Sequence, residues 1–418
     1  MVQGGGGGSG SRSCAARQRR SAGLTHRDLA LAALAVLICC AAPCQGARTP
    51  AARGLAGQQR RGRALLQVLE YQWNSTLGRR GAAPGNFTTP GGMEVDSATG
   101  DLFIADSDNS RIQRLAANGT VLAAWGSLGS NTTEFDFPAD VALDEARKRV
   151  YMADTYNSRI VVYNYTGGLL ASFGTEGSEN GNFSSVNGVC TDRFGNIYVT
   201  EDGGARVQKF SPQYQFLLKI GGPGNGNLQF NYPLGCAVSR SGILYVADSL
   251  NDRLQRINAT TGAFLGVIGG SGSAPGQFIS PGYLKIDPAD GSVWVADQDN
   301  FRVQKFGPTG RFLTAFGKQG STSGRFQQPL GIALLAPPAG ALGGPRVAIS
   351  DAALNTVQFF DPTLVYRPPP PSPPPPRPPP PPRPRPLPPP PPQLKRPPPL
   401  PARRRPARRQ PPPPMRPR

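Results

Sequence analysis

The sequence predicts an all-β protein, a six-bladed β-propeller with a leader ahead of it and a polyproline tail behind it. Three observations carry that prediction. One pattern recurs six times, led by Phe87, Phe137, Phe183, Phe230, Phe278 and Phe326, which stand 46 to 50 residues apart. Each copy holds four short apolar runs separated by turn residues, which is the content of one propeller blade. The last copy supplies only three such runs, and the missing fourth stands ahead of the first copy. The ring therefore closes by joining the two ends of the repeat region, which removes a free sheet edge.

In chain order, residues 1–46 read as a signal peptide with a long basic lead (Arg12, Arg17, Arg19, Arg20, Arg27) before the apolar run Leu29 to Ala42. Fourteen apolar residues ended by Pro43 are short of the roughly 20 that a membrane span needs, and Cys44 and Gly46 fit a small-residue cleavage site. No span is expected after cleavage. A signal anchor and an organelle transit peptide are the competing readings. Residues 47–63 form a basic linker.

The propeller is expected over residues 64–366. Its strands are runs such as Val141-Ala142-Leu143, Leu244-Tyr245-Val246-Ala247, Arg111-Ile112-Gln113-Arg114-Leu115 and Phe312-Leu313-Thr314-Ala315-Phe316. β-Branched and aromatic residues between Gly and Asp are what strands look like. Leu65 to Leu69 reads as the closing strand, matched to Phe312 to Phe316. Between the second and third strands stands Asp-x-x-Asn-x-Arg, as Asp106, Asn109 and Arg111 or Asp297, Asn300 and Arg302. Asp and Asn suit such a turn because their short side chains bond nearby backbone. A motif in nearly every blade is scaffold rather than one metal or acid-base site, and its Arg is expected to clamp neighbouring blades. Blade three (Glu201, Gly204, Arg206) and blade six (Asp351, Leu354, Thr356) depart from it.

These motifs resemble the NHL repeat over roughly residues 64 to 365. The resemblance implies six blades. It also raises the functions that NHL and related propellers carry, and the residues argue against several of them. The amidating lyase that shares these repeats needs zinc-binding histidines, and the sole histidine here is His26, in the leader. Calcium-dependent lactonase-like propellers need axial carboxylates, for which only Glu94 and Asp140 qualify. Ubiquitin-ligase relatives carry Cys/His zinc modules that this chain lacks.

Formal charge is +9 over residues 1–63, −3 over 64–366 and +13 over 367–418. A nearly neutral propeller makes no electrostatic case for nucleic acid. The last 52 residues contain thirty prolines interleaved with Arg and cannot build a core. They are expected to form a polyproline II rod. Its Pro368 to Pro376 segment, interrupted by Ser372, resembles hydroxyproline-rich wall glycoproteins. Arg385-x-x-Pro388-x-x-Pro391 instead fits an SH3 ligand.

Asn74, Asn86, Asn118, Asn131, Asn164, Asn182 and Asn258 each begin an N-glycosylation sequon. Of the six cysteines, only Cys190 and Cys236 fall within the repeats, offset by one position in adjacent blades. That offset predicts opposite-facing side chains and two buried free thiols.

A ligand site should show where one blade breaks the common pattern. In the first strands, two columns are small almost throughout, and the exceptions are Glu94, Asp140, Tyr283 and Lys285. These four are the expected ligand-facing cluster near the axis. No catalytic residue, cofactor or metal is assigned. The sequence thus reads as a secreted, N-glycosylated propeller that binds a protein or glycan, with a basic tail that meets acidic polysaccharide in an extracellular matrix or cell wall. The alternatives are a calcium-dependent propeller hydrolase or lyase, and an intracellular NHL scaffold with an SH3-ligand tail.

Overall fold

The computed structural model describes residues 66–337 and 343–367. The expected leader, linker and proline-rich tail lie outside them. Six four-stranded antiparallel sheets stand around an axis, each with its strands in chain order from the axis outwards, except the sixth. Blade one is Pro90–Val95, Leu102–Asp106, Arg111–Leu115 and Val121–Trp125, and blades two to five repeat it. The innermost strands pack in a closed ring, Pro90–Val95 against both Pro138–Asp144 and Pro329–Leu335. Second strands such as Leu102–Asp106 and Val293–Asp297 are buried at every residue, because a neighbouring blade covers each face. Alternation appears only in the outer strands, where Val121–Trp125 shows every second residue to solvent.

Blade six joins Pro329–Leu335, Arg346–Asp351 and Thr356–Arg367 to Leu66–Leu77 from the other end of the described chain. The two ends do close the ring, but the register differs from the expected one. Leu77 lies opposite Val357 and Trp73 opposite Phe360, with a bulge between Trp73 and Ser75. In blade five Phe316 lies opposite Val303 and Phe312 opposite Phe306. The counterpart of Phe312 to Phe316 is therefore Trp73 to Leu77, not Leu65 to Leu69. Spacing carries the reason: Leu77 precedes Phe87 by ten residues, as Phe316 precedes Phe326. Gly78 and Gly317 follow at left-handed φ of 76° and 97°, each packed so closely on the next buried Phe that a Cβ would strike the ring. The earlier part of the strand continues outward, paired with Asp361–Arg367, and Tyr71 packs 4.9 Å from Trp294.

The second leading aromatic is also corrected. Phe135, fully buried, occupies the place of Phe87 and Phe183, while Phe137 stands two residues on at φ 55°. With Phe135 the spacings become 48, 48, 47, 48 and 48 residues. Phe137 is thereby released from the scaffold.

The repeated turn does act as a clamp. Asp106 is buried and accepts hydrogen bonds from Thr88 N (2.8 Å), Asn109 Nδ2 (2.9 Å), Arg111 Nε (2.7 Å) and Gln113 Nε2 (2.9 Å). Arg111 then donates to the carbonyls of Ala82 (2.6 Å), Ala83 (3.2 Å) and Asn86 (3.0 Å), in the loop that links blade six to blade one. Blade three does the same with Glu201 and Arg206. In blade six, where no Arg stands, Asp351 accepts the backbone N–H groups of Gln327, Gln328 and Leu354.

Cys190 and Cys236 form a disulfide, with Cα atoms 5.8 Å apart, contrary to the free thiols expected. The sequence argument placed their side chains correctly and drew the wrong consequence. Their strands belong to different sheets stacked face to face. A side chain leaving blade three towards blade four meets one leaving blade four towards blade three, so equivalent strands need opposite parity to touch. The pair sits in the apolar layer between those blades with Tyr198, Val207 and Val246.

Candidate functional site

The inner strands bring all four pattern-breaking residues to the axis. Where Gly92 leaves no room for a Cβ, Asp140 of the next blade fills the space, and Tyr283 does the same against Gly235. Tyr283 crosses from blade five, its hydroxyl 3.1 Å from Ala139 O and 2.9 Å from Asn187 O in blades two and three. Lys285 Nζ lies 2.8 Å from Glu94 Oε2, an ion pair between blades five and one. Both Asp140 oxygens accept backbone N–H groups, Val141 at 2.9 Å and Val189 at 3.0 Å. Together the four side chains form a polar septum across the axis.

Burial dominates the electrostatics of this septum. It pushes the Asp140 carboxyl up to about 7, against the opposing pull of Lys285 and the two backbone N–H groups. The Tyr283 hydroxyl is driven well above its ordinary value, by burial and then by the Asp140 charge. Burial works against the Lys285 ammonium, yet the charges of Glu94 and Asp140 hold its pKa above the usual value. A lactonase-like calcium site does not fit these residues: a lysine ammonium shares the axis, one Glu94 oxygen is paired to it, and both Asp140 oxygens are committed to backbone. Among the described residues, no three His, Cys, Asp or Glu side chains are placed to hold a metal ion.

The septum separates two mouths. The lower one, at the hairpins between first and second strands, is a recess of about 620 Å³ whose charged lining is of mixed sign, Glu94, Asp144, Glu145 and Asp192 against Lys148 and Arg193. The upper one, at the Asp-x-x-Asn turns, is a cup of about 530 Å³ lined from all six blades, with Tyr283 in its floor. Phe137, Tyr156, Tyr232 and Leu250 line one side, and Asp202 and Asp299 are its charged groups. Among the described lining residues there is no Lys or Arg.

The cup's large apolar rim residues, Phe137, Tyr156, Tyr232 and Leu250, come from two variable positions of the blade. The third residue of the turn is Asp108, Tyr156, Gly203, Leu250, Asp299 or Ala353, and the residue before the first strand is Thr89, Phe137, Ser185, Tyr232, Ser280 or Gln328. Tyr156, Leu250 and Tyr232 are 66 %, 58 % and 38 % exposed, large apolar surfaces that no core requires. Phe137 and Tyr232 hold their bulk at φ 55° and 57°, a region that large side chains seldom occupy. Thr89, Ser185 and Ser280 share this φ in the other blades, so the conformation belongs to the blade and only the bulk placed on it is particular to Phe137 and Tyr232. Beneath the rim, the Thr155 hydroxyl is buried without a hydrogen-bond partner, although its counterpart Ser107 donates to Pro138 O at 2.7 Å. Sequence reasoning missed this cup. The signal was present in the two columns above, but the turn had been treated as scaffold throughout and Phe137 as a leading aromatic.

No protein-family model and no curated protein matches the sequence. Solved structures do match in fold. A gluconolactonase from Xanthomonas campestris is 16 % identical with a TM-score of 0.50, over 72 % of this chain and 98 % of that one. Auxiliary nutrient binding proteins from Bacteroides thetaiotaomicron and Bacteroides ovatus are 12 % and 14 % identical, both with TM-scores of 0.51, over 71 % and 72 % of this chain and 77 % of each of theirs. At such identities the likeness shows the fold alone. The chain is a six-bladed β-propeller, an architecture it shares with an enzyme and with binding proteins.

Proposed function

We propose that this protein is a secreted, N-glycosylated propeller of NHL type that binds a protein or glycan through its upper cup. A basic proline-rich tail, of the kind found in wall glycoproteins, holds it in an extracellular matrix or cell wall. The observation that carries the reading is the set of exposed Tyr156, Tyr232 and Leu250 around an axial cup. Exposed aromatic surface in a concave site is a binding feature with no structural use. The Cys190–Cys236 disulfide supports an oxidising compartment. All seven sequon asparagines are at least partly exposed, and none lines either axial mouth, so glycans would leave both open. Thirteen basic side chains in the tail suit acidic polysaccharide, an attraction that salt weakens.

The test is binding of the full-length chain to glycan and peptide arrays, beside a Tyr156→Ala/Tyr232→Ser variant shown to be folded by its thermal melt. The reading expects at least one probe class to lose binding about tenfold or more in the variant. Cup-independent capture of anionic probes, lost at 1 M salt, would report the tail. Equal binding by both chains across every probe would refute the cup.

A further inference from the structure

We propose that the upper cup docks a stretch of this chain's own tail, Arg383 to Pro391, within the same molecule. The inference rests on the cup being a binding surface and names the chemistry it takes. A polyproline II segment offers prolyl rings to aromatic faces and backbone carbonyls that have no internal partner, and Pro supplies no N–H in return. Its receptor therefore needs aromatic ridges and hydrogen-bond donors, the combination found in proline-rich peptide grooves. The cup has both. Phe137 and Tyr156, ring centroids 5.4 Å apart, make one ridge, and Tyr232 with Leu250 makes a second. The donors are the hydroxyls of Tyr156 and Tyr232 and the unpartnered hydroxyl of Thr155.

Charge selects the segment. The cup's charged groups are Asp202 and Asp299, with Asp108 hydrogen-bonded to the lining residue Thr89 at 2.5 Å. The tail has no acidic residue, and Arg383 and Arg385 flank Pro384 at the head of the run Leu387 to Pro392. With both Arg side chains at one end of the proline run, an Arg fork on a rim carboxylate fixes the direction in which the run lies. Reach is ample. Thr356–Arg367 runs from the cup face to the opposite face, so the return path along it is about 40 Å at 3.3 Å per residue. Between Arg367 and Arg383 the tail covers on the order of 50 Å as polyproline II.

The experiment uses the full-length chain with Tyr232, and separately Tyr156, replaced by the photo-reactive p-benzoylphenylalanine. The chain is irradiated as a mixture of light and heavy-isotope copies, and the cross-linked peptides are mapped by mass spectrometry. The proposal expects links from both positions to residues 377–396, within one isotopic copy. Their yield should fall several-fold in Asp202→Asn/Asp299→Asn, in 1 M salt, and with excess synthetic peptide of residues 377–396. Links confined to the propeller, links between light and heavy copies, or a yield unmoved by the peptide would overturn it. Failure here with array binding still lost in the cup variant would leave the binding module standing. Failure of both would remove the cup itself.

Discussion

The Tyr283 hydroxyl of blade five lies 2.9 Å from the carbonyl oxygen of Asn187 in blade three. One side chain thus spans an axis that most propeller blades line with glycine, and the two mouths of the ring become separate recesses. Tyr283→Phe keeps the ring and loses the hydroxyl bridge, so it should cost about 1 kcal/mol. Tyr283→Ala leaves a cavity at the centre and should cost about 3–5 kcal/mol. Chemical denaturation of the two variants should give that ranking, and an equal cost would show that the ring fills no space of consequence.

Asp140 predicts a pH dependence in a propeller without histidine. Its folded-state carboxyl is raised to about 7 by burial, while in the unfolded chain it titrates near 3.9. Between those values the folded chain keeps a proton that the unfolded chain has released. Its stabilising contribution is therefore complete below about pH 4 and is lost as pH rises through about 7. The melting temperature should fall from pH 5 to pH 8, and Asp140→Asn should flatten that slope while melting below the parent at pH 5 through one lost backbone hydrogen bond. An unchanged slope in the variant would assign the dependence to another group.

The clamps are worth testing where burial is deepest. Arg206 has only 5 % of its side chain exposed and Glu201 none. Arg206→Ala leaves that carboxylate buried with only Gln208 and the Ser184 N–H as hydrogen-bond partners. Loss of one partner of a buried pair costs about 3–5 kcal/mol. The Arg346–Asp361 pair, more than a fifth exposed on both sides, should cost about 1 kcal/mol or less on Arg346→Ala. Similar losses in the two variants would mean that burial does not set the strength of these clamps.

Removing the disulfide should be tolerated poorly. It closes a loop of 46 residues, for which chain entropy gives about 4 kcal/mol. Cys190→Ser/Cys236→Ser should melt well below the parent chain, and the parent should match it only when reduced. A reductant-insensitive parent would indicate unpaired thiols.

Most of the architecture was legible because it is repeated. Four copies of Asp-x-x-Asn-x-Arg and two variants of it average out any one reading, so the blade, its strands and its clamp could be inferred from spacing alone. The errors fell where a single copy had to be aligned. The string Phe135-Asp136-Phe137 offers two leading aromatics, and only the three-residue distance to the following Pro separates them. Two stretches of sequence compete for the closing strand's pairing, the apolar Leu65 to Leu69 and the more polar Trp73 to Leu77, and the glycine after the second decides between them. The disulfide was hidden by a different limit: parity within a strand is visible in sequence, whereas the fact that equivalent strands stack as separate sheets belongs to the tertiary fold. For the site, the axial four were found as breaks in two columns of small residues, but Tyr156, Tyr232 and Leu250 occupy turn and strand-flanking positions where variability looks like neutrality. Only their shared position around the axis makes them a surface.

The central claim is that this propeller works outside the cell as a glycosylated, disulfide-bonded binding module, and mass spectrometry of the natural protein under non-reducing conditions tests it most directly. The account predicts a chain starting near Ala47, a Cys190–Cys236 linked peptide, and glycans on several of Asn74, Asn86, Asn118, Asn131, Asn164, Asn182 and Asn258. An intact leader, free thiols at Cys190 and Cys236 and bare asparagines would contradict it, and would favour the intracellular scaffold with an SH3-ligand tail.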